Sequence, residues 1–366
     1  MRKQAYFLLI TVLILFLTGS LMVYNTTSAE IIDKALNIEL SGAFLRQICY
    51  GLVGIIVASF IVYIGIDRLE ELSPYILIFL SILLVAVFIP GVGMQLNGAR
   101  RWIKLFGVSI QPSEFVKIFL PMTLCDYFKR HPIKSFLDFI KLLSRAVIPL
   151  FLILIEPDNG TFVILMVVIL TLFYLFKINK RYWMIPCFFV LLAAGGIASR
   201  MPHVSQRIQV YLHPEKDILG KGHQPYQAKI AVGSGGWLGR GIGQSLQKLN
   251  YLPEARSDYI AAIFAEEFGF IGIIFLIGLY LFFALVGVKI SIHSHNIFSF
   301  YLGMSLVVLV SFQVFLNLGV VSGLLPSKGT NLPFFSQGGS SLVANFLIVG
   351  IFMAISKSQP IKNHES

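Results

Sequence analysis

The sequence predicts an all-α polytopic membrane protein of about ten helices, with both termini cytoplasmic and one long extracytoplasmic loop, residues 199–258, before the eighth helix. Three observations predict this. Of 366 residues, 56% are apolar and 13% charged, and the mean hydropathy is +0.80, far above a soluble domain. Apolar runs near span length recur along the chain. Lysine and arginine crowd alternate loops.

The first run, Tyr6–Val23, follows a basic start and has no clear small-x-small cleavage site, so it reads as a membrane helix and not a removed leader. Further runs are Gln47–Ile66, Tyr75–Ile89, Ser113–Tyr127, Ala146–Ile155, Thr161–Leu175, Tyr182–Ala198, Phe268–Val288, Ile297–Leu318 and Gly339–Ile355. Ala146–Ile155 is short and holds Pro149. Basic residues before it (Lys129, Arg130, Lys134, Lys141, Arg145) and after the next run (Lys177, Lys180, Arg181) make the two runs a crossing hairpin with its Glu156–Gly160 tip outside. Residues 1–366 form a single membrane domain with no evident internal repeat.

The net charge of +11 belongs to such loops and is not a nucleic-acid signal. Cys49, Cys125 and Cys187 lie in or beside apolar runs and make neither a disulfide framework nor a zinc site. The histidines lack metal-ligand spacing, and no Walker loop or Ser/His/Asp order is usably placed.

The polar exceptions all fall on the outer face. They are Asn97–Lys117, the Glu156–Gly160 tip, Tyr226–Glu267 and Gly323–Ser341, and together they imply a shared extracytoplasmic site. Asp258 sits at an apolar boundary, where desolvation lifts a carboxylate toward a general base's range; an ordinary helix N-cap by Ser257 or Asp258 is the plain alternative. Glu254, Glu266 and Glu267 compete for the role, the last two on different helix faces. Glycines 233–243 read as a backbone that turns tightly or approaches a ligand at the membrane surface. Arg100, Arg101, Lys104, Lys117, Arg240, Lys248 and Lys328 offer positive charge for a diphosphate, with lipid-headgroup contact as the alternative. Glu114 and Lys117, at i,i+3, form either an ion pair at the membrane edge or part of the site.

Asn97–Lys117, EPDNGT at 156–161, Tyr226–Gly269 and GLLPSKGTNLPFFSQGGSS at 323–341 resemble, in order and over nearly the whole chain, the SEDS family of bacterial cell-wall polymerases. Ser327-Lys328-Gly329 is closer to the family's cell-division branch (FtsW-like) than to its elongation branch (RodA-like). Two departures stand out: the family's QPDLGT is EPDNGT here, and its SYGGSS is SQGGSS.

The resemblance implies a peptidoglycan glycosyltransferase that polymerises lipid II at the outer face of the inner membrane. It places the family's catalytic aspartate at Asp258 of LPEARSDYI. Substrate-binding candidates are then Arg100, Arg101, Glu114, Lys117, Arg240, Lys248, Glu254, Ser340 and Ser341. It also implies a divalent cation, Mg2+ or Mn2+, and no organic cofactor. Partners would be lipid II, the lipid-linked nascent glycan, a class B penicillin-binding protein transpeptidase, other division proteins and membrane lipid, with no nucleic acid. A lipid II flippase and a non-catalytic division scaffold are the rival readings.

Overall fold

The computed structural model describes residues 2–34, 42–96, 99–105, 108–188, 211–212, 220, 222–249, 252, 254–327 and 329–358. The second half of the predicted Tyr182–Ala198 run, most of residues 199–221, and Lys328 lie outside the described residues. The chain runs α1 (Arg2–Lys34), α2 (Gly42–Ile64), α3 (Ile66–Ala86), β1 (Gly93–Leu96), β2 (Ala99–Leu105), β3 (Val108–Ile110), α4 (Pro112–Arg130), α5 (Phe136–Ile155) and α6 (Asn159–Leu175). After a helical stretch at 180–188 come α7 (His223–Ser234), α8 (Ile260–Ile292), α9 (Ile297–Val321) and α10 (Gly339–Lys357).

Among the described residues, six helices are long and apolar enough to cross a membrane: α1, α2, α3, α8, α9 and α10. α6 is apolar throughout but shorter, at 17 residues. The short predicted span at Ala146–Ile155 is the second half of a 20-residue helix. Ser135 and Asp138 form a capping box that starts it, so Pro149 sits inside a continuous helix.

Two departures from the predicted class matter for the site. First, where the predicted class was all-α, the polar segment before α4 carries a three-stranded antiparallel sheet, β1-β2-β3. Leu96 pairs with Ala99, and the sequence between them is Asn-Gly, the strongest short hairpin signal in a sequence. Second, α8 starts before the predicted Phe268. Its first turns, from Ile260, are separated from the spanning part by a break at Gly269 (φ 66°, ψ −163°), a conformation open to glycine.

The glycines at 235–243 explain that break. Arg240 and Gly241 donate backbone N–H groups to the carbonyls of Glu266 and Glu267 at 2.9 and 3.0 Å. Phe270 and Ile271 in turn donate to the carbonyls of Gly236 and Trp237 at 2.9 and 3.2 Å. A Cβ on Gly239 would lie 2.1 Å from the Glu267 carbonyl oxygen. The close backbone approach predicted for these glycines is therefore to α8 itself.

Helix directions place the polar elements. The Phe7 ring meets Phe282 near the start of α1, and Asn25 bonds Glu267 near its end, so α1 and α8 are antiparallel. α2 and α10 run parallel: Tyr50 packs on Gly339, Gly54 on Phe346 and Ala58 on Gly350. Without these glycines the two backbones could not approach so closely, the usual basis of helix packing in lipid. One end of the bundle thus gathers the starts of α2, α4, α6, α8 and α10 and the end of α9. The opposite end carries Arg2, Lys129 paired to Glu70 at 2.7 Å, Lys289 and Lys357.

Candidate active site

At the gathered end lies a cavity of about 580 Å³. Asp258, Glu254, Arg101, Glu114, Lys117, Asp158, Ser340 and Ser341 line it, so most of the predicted residues meet there. The break at Gly269 lets α8 present its first turn inside the bundle, with Asp258 just before it.

Asp258 is not a cap. The residue at the N-cap position is Tyr259, with no side-chain capping bond, while Ser257 Oγ bonds Glu254 Oε2 at 2.6 Å. Two contacts fix Asp258 from α9 and the 323–341 segment. Asn317 Nδ2 donates to the Asp258 carbonyl at 2.8 Å and to the Thr330 carbonyl at 2.6 Å. Ser336 Oγ donates to the Ser257 carbonyl at 2.6 Å. Burial raises the Asp258 carboxyl to about 6, Glu254 pushes it the same way, and Arg101 opposes both. A carboxylic acid near 6 is mostly ionised at neutral pH and is basic enough to take a proton.

Arg101 projects from β2. Its guanidinium donates to the carbonyls of Glu156 and Pro157 at 3.1 and 2.7 Å and lies 3.8 Å from Asp158. The sheet thus ties the α5–α6 turn to the cavity. Asp158 caps α6 through Thr161 N–H and accepts from Gln111 and Ser113, both at 3.2 Å. Beside it, Glu156 is fully buried, its carboxyl oxygens have no hydrogen-bond partner, and burial raises it to about 8. Lys117 pairs with Glu114 at 2.9 Å and donates to Gln313 Oε1 at 3.3 Å. Ser340 Oγ accepts from Gln111 N–H at 2.9 Å, joining α10 to the start of α4.

Three predicted cations lie elsewhere. Lys248 is buried, with its ammonium bonded to Glu267 (3.0 Å), Asn25 (2.7 Å) and the Gly243 carbonyl (2.7 Å). Arg240 lies 3.7 Å from Glu266, which also accepts from Ser245 Oγ and two backbone N–H groups. Both carboxylates are buried and both hold the 240–248 loop, against the expectation that they serve different faces. Arg100 alternates with Arg101 on β2, is exposed, and among the described residues reaches only the Phe88 carbonyl, at 3.5 Å.

Sequence reasoning missed Gln313 and Asn317. Their signal was two amides four residues apart in an otherwise apolar run, hence on one helix face. It also missed Arg46, Gln47 and Tyr50 of α2, which only helix packing brings to the cavity.

The comparisons agree with this architecture. The FtsW/RodA/SpoVE family model, described as cell cycle protein, matches residues 5–360. A protein of Trichlorobacter lovleyi named Probable peptidoglycan glycosyltransferase FtsW is 36% identical over 376 residues, covering 97% of this chain and 94% of that protein. Stage V sporulation protein E of Bacillus subtilis is 34% identical, covering 96% of each. Among solved structures, RodA of Thermus thermophilus shares the fold at a TM-score of 0.70 and 21% identity, covering 95% of each chain. A chain of a peptidoglycan synthase complex, in which polymerization and crosslinking are coordinated, does so at 0.75 and 23%, covering 92% of this chain and 95% of that one. With a family match over nearly its whole length and relatives more than a third identical, the chain belongs to the FtsW/RodA/SpoVE family of cell cycle proteins.

Proposed function

We infer that this multi-pass membrane protein is a peptidoglycan glycosyltransferase that polymerises lipid II into glycan strands during cell division. The observation that carries the mechanism is Asp258, held near pKa 6 in a polar cavity at one end of an apolar bundle. Asp258 takes the proton from the 4-hydroxyl of the incoming GlcNAc. That oxygen bonds to the anomeric carbon of MurNAc, the bond from that carbon to diphosphate breaks, and the electron pair leaves with the phosphate. The displacement inverts the carbon.

A glycoside hydrolase needs a second carboxyl group to protonate an alkoxide leaving group. A diphosphate leaves as a stabilised anion, so one base and nearby positive charge suffice. Arg101 and Lys117 supply charge within the cavity. Asn317 keeps the base aimed by holding its backbone.

Among the described residues, no three His, Cys, Asp or Glu side chains converge on a metal position. Mg2+ or Mn2+ binding through one carboxylate and substrate phosphates remains compatible with that donor set, with Glu254 as the ligand. Such an ion would add Lewis-acid charge at the leaving group, and no step above is routed through it.

The basic opposite end, with Arg2, Lys129, Lys289 and Lys357, supports a cytoplasmic position for that end and an outer-face position for the cavity. The likeness to a chain of a peptidoglycan synthase complex supports a membrane-anchored class B penicillin-binding protein as partner. The test is polymerisation of lipid II by the purified protein with its cognate transpeptidase. Wild type makes glycan strands, and Asp258→Asn does not. Lipid II translocation in liposomes without polymer, unaffected by that change, would favour the flippase reading instead.

A further inference from the structure

The loop at 235–246 carries large apolar side chains in the open. Trp237 is 73% exposed, Leu238 79% and Ile242 75%, and Leu246 is exposed as well. Exposed apolar side chains scattered singly are ordinary, but a cluster on one loop marks a surface that something covers. The same loop is tied down on its other side. Glu266, Glu267 and Lys248 are buried, and they join it to the break in α8 through the Lys248–Glu267 pair at 3.0 Å and the Ser245 hydroxyl on Glu266. The charged side thus faces the bundle, and the apolar tips face out.

The break sets the level of this loop. Residues 270–292 of α8 rise about 34 Å, enough to cross a hydrocarbon core of roughly 30 Å, with Lys289 in the last turn. Gly269 therefore stands where the helix leaves the core. α1 gives the same level independently: its apolar run ends at Val23, and Asn25 Nδ2 bonds Glu267 Oε2 at 2.6 Å. Trp237 packs edge-on against Phe270, the first residue beyond the break, with ring centroids 5.2 Å apart. Phe270, Ile271, Ile274 and Phe275 continue the exposed apolar surface along α8. Irregular backbone survives beside lipid only where its polar groups are paired. Here the carbonyls of Gly236 and Trp237 accept from Phe270 and Ile271, and the N–H groups of Arg240 and Gly241 donate to the carbonyls of Glu266 and Glu267.

We propose that the 235–246 loop is a lipid wedge: Trp237, Leu238 and Ile242 seat in the leaflet at the cavity end of the bundle, at the boundary between headgroups and acyl chains. The partner is the lipid surface, because the patch is continuous with the lipid-facing side of α8. Tryptophan suits that depth, with an apolar ring and a polar N–H. The wedge holds the break at Gly269 level with the membrane surface, and the first turns of α8 with it.

The experiment reads the depth of Trp237 by fluorescence. The full chain has three tryptophans, and Trp102→Phe with Trp183→Phe leaves Trp237 as the only one. The protein is placed in phosphatidylcholine nanodiscs made with ordinary lipid, with lipid brominated at shallow acyl carbons, or with lipid brominated at deep ones. Shallow bromines are expected to quench Trp237 about threefold and more than deep bromines do, as for a ring roughly 5–10 Å into the boundary region, while aqueous iodide quenches it by less than about a fifth. Should the double replacement fail to fold, the difference between wild type and Trp237→Phe isolates the same ring. Emission open to iodide and untouched by either bromolipid overturns the wedge. Deep bromines quenching more strongly than shallow ones overturn its place at the boundary. Emission open to iodide in the protein alone, and shielded only when the cognate transpeptidase is added, overturns it too, since the patch is then a protein contact.

Discussion

Gly329 lies against the carboxylate of Asp258: a Cβ placed on it would sit 2.6 Å from Oδ2. No other residue type leaves that carboxylate where it is. Gly329→Ala is expected to push Asp258 off its position and lower kcat by about ten- to a hundredfold, since an error of an ångström at a reacting group costs that order. Lipid II KM should change little. Polymerisation kinetics on the folded variant decide it.

Asp258→Asn removes the proposed base and is expected to lower kcat by roughly a hundredfold to ten-thousandfold. In wild type only the carboxylate form accepts the proton, so kcat/KM rises with pH and levels off above about 6. Glu254→Gln removes a charge that raises this carboxyl and shifts the acid limb to lower pH. Arg101→Gln removes one that lowers it and shifts the limb upward. Opposite shifts in the two pH profiles are the signature.

Asn317→Ala deletes the amide that bonds the carbonyls of Asp258 and Thr330. Each buried carbonyl left unpaired costs about 1–3 kcal/mol. The expected outcome is a lower melting temperature together with a lower kcat, because the same bonds hold the fold and aim the base. Asn317→Asp, which keeps the shape but removes the donor, should show the kcat loss as well.

Lys248→Met leaves Glu267 buried without its cation, a change that costs on the order of 3–5 kcal/mol. Thermal unfolding should fall sharply. The fraction that remains folded should bind undecaprenyl diphosphate as wild type does, since Lys248 does not line the cavity.

Glu156 gives a stability signature at alkaline pH. Burial raises its carboxyl from the ordinary 4.5 to about 8, so the folded state holds a proton that the unfolded chain has already lost. Where the folded state binds more protons, stability falls as pH rises. Wild type should therefore lose stability progressively between about pH 4.5 and 8, and Glu156→Gln should not. Melting curves at pH 6 and pH 9 separate the two proteins, and a parallel decline would refute the assignment.

How much was legible varies by element. The spanning helices were legible because lipid forces each one to satisfy its own backbone, and a run of apolar side chains is the direct record of that. That Asp258 would stand in the polar cavity was legible because an acid at the edge of such a run is costly to keep. The sheet at 93–110 was less so: its Asn97-Gly98 hairpin signal stands in the sequence, but strand patterns this short are weak beside long apolar runs.

Charge alone cannot say which cation faces which anion. Arg240 and Lys248 looked like phosphate ligands because they stand in a polar loop, and only the fold of that loop onto α8 brings them to Glu266 and Glu267. Arg46 drew no notice in the sequence, and only the parallel packing of α2 and α10 brings it to the cavity. The chain's order of apolar and polar stretches determined that this protein lives in a membrane and gathers polar segments at one end of its helices. Which side chains share the cavity was decided by tertiary packing, because a pairing between residues hundreds of positions apart leaves no local pattern for a sequence to carry.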